Sequence, residues 1–493
     1  MLTCALAVWS APPEGAERTR DAKARAPQTR ARAAATPTGL AAIDGNVGVL
    51  PAEVDAALQR AKVPREALSV VVLDVSAHAG GASRPEAVVR LSHQAQTAVN
   101  PASLMKLVTT VAAFDLLGPA YTWRTSWHID GPVREGTLQG NAYLRGSGDP
   151  KLTVERLWVL MRRLQGLGIA RIQGDIVLDR SAFEAQTRDP GQFDGEPLRP
   201  YNATPDALLI NFKSLLVSFV PDRAAQVAQI QVEPPLSGVQ LPASVPLSNE
   251  PCDDWRGGLR ADWSDPQRVR FAGSYPAACG ERLWPVAYSA PAQFANRAIA
   301  GMWQQLGGQL SGQVREGTVP ASLPARVVLE SPTLTEVVRD INKFSNNVMA
   351  QQLFLTLGNG NAEQARQAVQ RWWRERLGTE VPVLDNGSGL SRDERTSALG
   401  LARLLHYAWL QPTMPELMAS LPLTGLDGTL KRSRAQASAH LKTGSLRDVA
   451  GIAGYVDGAR GQRWVLVAIL NHPQAHAARP ALEALVEWTA RQP

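Results

Sequence analysis

Apolar residues fall into a few dense blocks separated by long polar, turn-rich stretches. Leu68 to Val75 (LSVVVLDV) is a β-branched run, the pattern of a strand covered on both faces. At Asn100-Pro101 the period changes. Leu104, Leu107, Val108, Val111 and Phe114 recur at helical spacing until Gly118-Pro119, with Asn100 placed to cap and Pro101 to fill the first helical position. This spacing predicts a helix that is largely core. Helical pattern returns from Leu334 to Leu357. The chain then closes with three strands, Ala439 to Ser445, Ala450 to Val456 and Trp464 to Leu470, and a helix, Ala478 to Arg491. Asp457-Gly458-Ala459-Arg460-Gly461 joins the last two strands as a hairpin.

Between Ala120 and Pro324 the texture differs. Short strand patterns such as Thr137 to Leu144 and Ile172 to Leu178 alternate with turns, among them Gly146-Ser147-Gly148-Asp149-Pro150 and Glu233-Pro234-Pro235. The pattern predicts a β-rich module over 120–324, set into a sheet-and-helix domain made of 40–119 and 325–493. A length of 493 residues fits two or three domains, and 44% hydrophobic with 19% charged residues is a globular composition. No apolar run reaches the roughly 18 residues of a membrane-spanning helix, so an integral membrane protein is not expected.

The formal charge of +6 is unevenly spread. Arg18, Arg20, Lys23, Arg25, Arg30 and Arg32 oppose only Glu14, Glu17 and Asp21 near the N-terminus, which leaves the remaining body nearly neutral. With no basic stripe interleaved with aromatics, nucleic-acid binding is not expected. Leu2 to Ala11 has the apolar core and small-residue end of a secretory signal without its charged start, so residues 1–11 read as a truncated signal peptide. Residues 12–39 read as a basic Ala/Pro-rich linker. Cys4 would leave with the signal. Cys252 and Cys279 then remain, 27 positions apart and outside any C-x-x-C spacing. They suit a disulfide closing a loop, with two separate buried thiols as the other reading.

Three short motifs carry candidate chemistry. Ser103-Leu104-Met105-Lys106 opens the predicted helix, where positions i and i+3 share a face and bring amine to hydroxyl. A serine hydroxyl is a poor nucleophile until a base takes its proton, and a lysine whose pKa is lowered by burial and neighbouring cations can be that base. The helix N-terminus adds backbone N–H groups where an oxyanion would form. Alone the pattern is weak, because 28 serines and 8 lysines give about half a chance match, and an ordinary helix start explains it. Lys442-Thr443-Gly444, in a predicted strand, is rarer by chance. It offers a cation and a hydroxyl to a carboxylate, then a glycine that lets a ligand approach the backbone. A solvated edge-strand lysine is its bland alternative. Ser345-Asn346-Asn347 reads by itself as helix capping. Together and in this order, S-x-x-K, S-x-N and K-T-G form the signature of penicillin-binding proteins and serine β-lactamases.

On these residues the chain resembles the class C low-molecular-mass penicillin-binding proteins, the D-alanyl-D-alanine carboxypeptidase/endopeptidases. The distinguishing mark is the interval of about 240 residues between Ser103 and Ser345, which an insert of one or two small domains fills in that family. Asn386-Gly387-Ser388-Gly389-Leu390-Ser391-Arg392, Leu421-Pro422-Leu423 with Asp427-Gly428-Thr429-Leu430, and Lys442 to Leu446 also look like family segments. Asn386 stands where an aspartate is common. The likeness covers roughly residues 45 to 475.

The resemblance implies an α/β (α+β) fold: a transpeptidase-like domain with an antiparallel sheet flanked by helices, interrupted by a β-rich insert of two subdomains. It implies that Ser103 attacks the carbonyl of a terminal D-Ala-D-Ala peptide and forms an acyl-enzyme, with Lys106 accepting the proton. Ser345 would relay a proton to the leaving amine, and Asn347 would hold the acyl side chain. Lys442 and Thr443 would bind the carboxylate beside Gly444, while backbone N–H groups of Ser103 and Ser445 form the oxyanion hole. Peptidoglycan stem peptides are then the substrate, β-lactams the covalent inhibitors, and the periplasm the compartment. No metal or organic cofactor is implied, and nothing sets an oligomeric state. Two alternatives share the motifs: a serine β-lactamase, which must hydrolyse its acyl-enzyme quickly, and a non-catalytic wall-binding protein. Glu196-Pro197 is similar to a class A β-lactamase motif but precedes the S-x-N triplet, and Gly146-Ser147-Gly148 and Gly387-Ser388-Gly389 lack the end of a phosphate loop and read as turns.

Overall fold

The patterns at the two ends of the chain assemble into one antiparallel sheet with helices on both faces. In the computed structural model its first elements are α1 (Ala52–Arg60), β1 (Leu68–Asp74), β2 (Val88–His93) and α2 (Met105–Leu117). After a long interval come α3 (Leu334–Phe344), α4 (Asn347–Leu357) and α5 (Ala398–Trp409). The chain ends with β3 (Ala439–Leu446), β4 (Val449–Asp457), β5 (Arg463–Asn471) and α6 (Arg479–Ala490). The structure describes residues 45–76, 87–185, 188–378 and 380–493. The signal-peptide reading of 1–11 and the linker reading of 12–39 lie outside them. The described residues belong to one compact unit.

The strands stand in the order β3-β4-β5-β1-β2, each neighbouring pair antiparallel. β5 and β1 are central, which explains why their sequences are apolar without alternation. Val71, Leu73, Val465, Val467 and Ile469 pack into the layer of α2, α3, α4 and α5. Val70, Val72, Leu466, Ala468 and Leu470 pack on the other face against α1 and α6. β3, which carries Lys442 to Ser445, lies at the sheet edge, its outer side bridged to residues 422–424 only at Ala439 to Leu441.

Residues 120–330 contribute further sheets with their own apolar core, from Trp127 to Leu329. Two expected strands are broken here. Thr137 to Leu144 is Thr137–Leu138 and Ala142–Arg145, and Ile172 to Leu178 is Arg171–Ile172 and Ile176–Asp179. The first halves pair in a four-stranded sheet and the second halves in a five-stranded one. The chain changes sheets at Gly140 and Gly174, where the Gly174 N–H donates to the Gly140 carbonyl at 3.0 Å. A period of two does not reveal such a bend. Cys252 and Cys279 are bonded as a disulfide in this region, their Cα atoms 4.9 Å apart.

Two helical expectations also change. Asn100 and Pro101 do not open α2. The Asn100 carboxamide accepts from the Ala102 N–H at 2.8 Å, and a single 3₁₀ turn, Ala102–Leu104, precedes Met105. The apolar spacing is continuous across both, so the tighter turn is invisible to it. The helical stretch Leu334 to Leu357 is two helices. Thr333 and Glu336 close a capping box at the start of α3, Ser345 ends it in the left-handed region at φ 56°, and Asn346 caps α4 by accepting from the Met349 N–H.

Candidate active site

Each motif residue owes its position to one of these local devices. Ser103 rides on the 3₁₀ turn, and its i+3 partner Lys106 sits in the first turn of α2. In Ser345-Asn346-Asn347 the middle residue does the capping, so the two flanking side chains are free to reach inward from the break between α3 and α4. Lys442 and Gly444 face the Ser103 turn from the edge strand β3, while Thr443 alternates to the other face.

These segments meet. The fully buried Lys106 amine lies 3.0 Å from Ser103 Oγ, 2.7 Å from Asn347 Oδ1 and 2.5 Å from the Ser388 carbonyl. The equally buried Lys442 amine donates to Ser345 Oγ at 2.9 Å and to the Thr443 carbonyl at 2.8 Å. Thr443 Oγ1 donates to Thr429 Oγ1 at 2.7 Å. That neighbour belongs to a turn held by the Lys343–Asp427 ion pair at 2.6 Å. A cavity of about 880 Å³ opens over this group, lined among others by Ser103, Ser345, Asn347, Thr443, Gly444 and Ser445. Tyr201 and Phe193, from the long interval, close it on one side.

Burial controls the electrostatics. Desolvation lowers the Lys106 pKa from 10.5 to about 7, against the opposing pull of the Glu394 charge. Lys442 is driven well below the usual lysine range by burial and then by the nearby Lys106 charge. A chemically usable base therefore stands beside a serine at neutral pH, with two polar groups fixing its direction.

Three expectations change in detail. Lys442 does not face the cavity: its amine is screened behind Ser345 and Thr443, because an edge strand packed against the Ser103 turn leaves it no exposed route. Gly444 lines the cavity but is required by packing, since a Cβ there would come within 2.7 Å of the Pro101 carbonyl and 3.1 Å of Leu104. Gly444→Ala is accordingly expected to cost about 1–3 kcal/mol of stability. The urea-unfolding midpoint checks this, and an unchanged midpoint would show that turn and strand are not pressed together. The Asn347 carboxamide is engaged on both ends, by Lys106 and, through Nδ2, by the Tyr201 carbonyl at 3.2 Å. One amide hydrogen is left for a guest.

Sequence reasoning missed the 385–394 turn as part of the site. Ser388 contributes a backbone carbonyl, and Gly389 at φ 77° lets the turn approach the Ser103 segment so closely that a Cβ would lie 2.7 Å from the Ser103 nitrogen. A carbonyl has no residue signature; the glycines of this segment were the available signal.

The chain is similar to several known proteins. The D-alanyl-D-alanine carboxypeptidase DacB of Haemophilus influenzae is 27% identical over 395 residues, covering 75% of this chain and 80% of that protein. A D-alanyl-D-alanine carboxypeptidase of Actinomadura sp. (strain R39) is 27% identical over 418 residues, 78% of this chain and 75% of the relative. The crystal structure of penicillin binding protein 4 from Haemophilus influenzae superposes with a TM-score of 0.67 at 24% identity, covering 88% of this chain and 99% of that one. The same protein in complex with a β-lactam gives 0.64 at 22% identity, covering 89% and 100%. Both structures share the fold, and no helix among the described residues is long and apolar enough to cross a membrane. With the family match running over residues 50–492, the chain belongs to the D-Ala-D-Ala carboxypeptidase 3 (S13) family.

Proposed function

We propose that this protein is a serine D-Ala-D-Ala carboxypeptidase that works through an acyl-enzyme on Ser103 and is acylated there by β-lactams. The observation that carries the reading is the Lys106 amine, buried, partly deprotonated near neutral pH and 3.0 Å from Ser103 Oγ. Lys106 takes the Ser103 proton as Oγ attacks the penultimate D-Ala carbonyl. Ser345, held by Lys442, passes a proton to the departing amine. Thr443 and Ser445 meet the terminal carboxylate, with the Lys442 amine behind them, and the N–H groups of Ser103 and Ser445 receive the oxyanion. Asn347 aligns the amine and offers its remaining amide hydrogen to the acyl part. Water then releases the peptide.

In this reading 40–119 with 325–493 form the catalytic domain, except that Val327–Glu330 pairs with the strand at Arg124–Ile129 and so extends the insert of 120–324, which shapes the groove through Phe193 and Tyr201. Peptidoglycan stem peptides in the periplasm are the substrate. Mass analysis of purified cross-linked muropeptides after digestion tests this: release of one alanine marks the carboxypeptidase, scission of dimers the endopeptidase, and no change of either kind sinks the proposal. A penicillin adduct that persists separates it from a β-lactamase.

The pH dependence has a definite sign. The free amine is the base, so the penicillin acylation rate rises with pH through about 7 and levels above it. The folded amine also binds its proton less tightly than the unfolded one. Its contribution to stability is therefore present above 10.5 and lost as pH falls to about 7. Stopped-flow acylation from pH 5 to 9 is the check, and a rate flat across that range would remove Lys106 as the base.

A further inference from the structure

Behind Lys106 lies a carboxylate that no motif announces. Glu394 is completely buried, and its Oε1 accepts from three consecutive backbone N–H groups, Asp385 at 3.2 Å, Asn386 at 3.2 Å and Gly387 at 2.8 Å. The next residue, Ser388, gives Lys106 its carbonyl, and Thr109 on α2 donates to the Gly387 carbonyl at 2.6 Å. The other oxygen, Oε2, is buried without a hydrogen-bond partner among the described residues. A buried carboxylate with an idle oxygen is costly unless it serves something, because desolvation penalises the charge.

The amine it backs has an unusually strict geometry. A neutral lysine has two N–H donors and one lone pair. Here Asn347 Oδ1 and the Ser388 carbonyl take the two donors, which directs the lone pair at Ser103 Oγ. Displacing the Ser388 carbonyl would free the amine to rotate and lose that direction.

We propose that Glu394 is a positioning residue for acylation: it anchors the 385–388 turn so that the Ser388 carbonyl aims the Lys106 lone pair at Ser103, and its charge couples proton binding at the two groups. This rests on the assignment of Ser103 and Lys106 to acyl transfer. The charged groups around Glu394 are Lys106 on α2, with Lys442 beyond it, and Asp385 on the turn itself. Arg366 reaches the Asp385 carbonyl, and Arg395 reaches the carbonyls of Arg392 and Glu394. α4, whose Gln351 touches Ser388 Oγ, carries no titratable side chain. Desolvation raises the Glu394 pKa from 4.5 to about 7, the range in which Lys106 also titrates, and the Glu394 charge favours the protonated amine, so proton binding at one depends on the other.

The test is the pH profile of Ser103 acylation by a fluorescent penicillin. Glu394→Gln keeps an acceptor for the three N–H groups but removes the charge that holds a proton on Lys106. Its acid limb is expected to move down by about one pH unit with the plateau rate within threefold of wild type. Glu394→Ala loses the anchor as well, and its plateau is expected to fall at least tenfold. An acid limb unmoved in Glu394→Gln overturns the coupling. An unchanged plateau in Glu394→Ala overturns the anchoring. A wild-type protein that takes no label fails the earlier assignment instead, a distinct outcome. Should Glu394→Gln not fold, pH-difference infrared spectroscopy of the wild-type protein decides: a buried protonated carboxyl band growing in as pH falls through about 7, and shifting when Ser103 is acylated, supports the coupling. A carboxyl group with no such titration, or a band indifferent to acylation, overturns it.

Discussion

Ser103→Ala is expected to abolish covalent labelling by penicillin, with no mass increase on the intact protein and no release of D-alanine from a pentapeptide. The side chain lost is small, stands on a 3₁₀ turn whose backbone is fixed by Asn100 and by the packing of Gly389 and Gly444, and has one hydrogen-bond contact, with the Lys106 amine at 3.0 Å. The fold should therefore survive with a thermal midpoint close to wild type. Loss of the nucleophile leaves only whatever transition-state binding the oxyanion groups and the groove supply, which is rate enhancement without a covalent intermediate. Intact-protein mass spectrometry, run beside the wild type, reads the result directly. A stoichiometric adduct in Ser103→Ala would place the nucleophile elsewhere, and the whole arrangement around Lys106 would need another purpose.

Lys106→Met is expected to lower the acylation rate by about 10⁴-fold, the upper range for removal of a general base. Methionine matches the length of the stem and adds no charge to a fully buried site, so volume is nearly conserved. Two acceptors lose their donor: Asn347 Oδ1 and the Ser388 carbonyl. That costs about 1–3 kcal/mol for each group left unpaired, offset by no longer burying an amine that can ionise. Stability should change modestly while the rate collapses, and this split distinguishes a base from a mere packing residue. Stopped-flow acylation together with thermal unfolding provides both numbers. A variant that keeps most of its acylation rate would shift the base function to another group, with Lys442, the buried amine behind Ser345, the first to examine.

Much of the catalytic half was legible because its signals are local. Continuous β-branched runs marked β1 and β5, since strands covered on both faces have no polar positions to spare. Asp457 to Gly461 marked the hairpin between β4 and β5, where the Gly458 N–H donates to the Gln462 carbonyl at 2.9 Å. The Ser103–Lys106 pair followed from the pitch of a helical turn, and it held although that turn is 3₁₀ at its start, because three residues per turn superimpose i and i+3 even more closely. The breaks at Gly140 and Gly174 were not legible, and the one at Ser345 was signalled only by the capping pattern of Ser345-Asn346-Asn347. Each interrupts a run whose hydrophobic period continues on both sides, and the partner strands or helices show where the chain turns.

By itself the sequence determined the residue types that can do acyl-transfer chemistry, their spacing within each motif, and the strands and helices that hold them, all of which depend on neighbours a few positions away. Only the tertiary structure decided that Lys442 stands behind Ser345 and out of the cavity, that Asn347 is shared between Lys106 and Tyr201, and that the turn after Asp385 completes the site. The reason is physical. Side-chain identity fixes what a group can donate or accept. Which backbone carbonyl it meets, and how much water is removed around it, depends on segments hundreds of residues apart packing together, as Lys106 and Ser388 do across 282 positions.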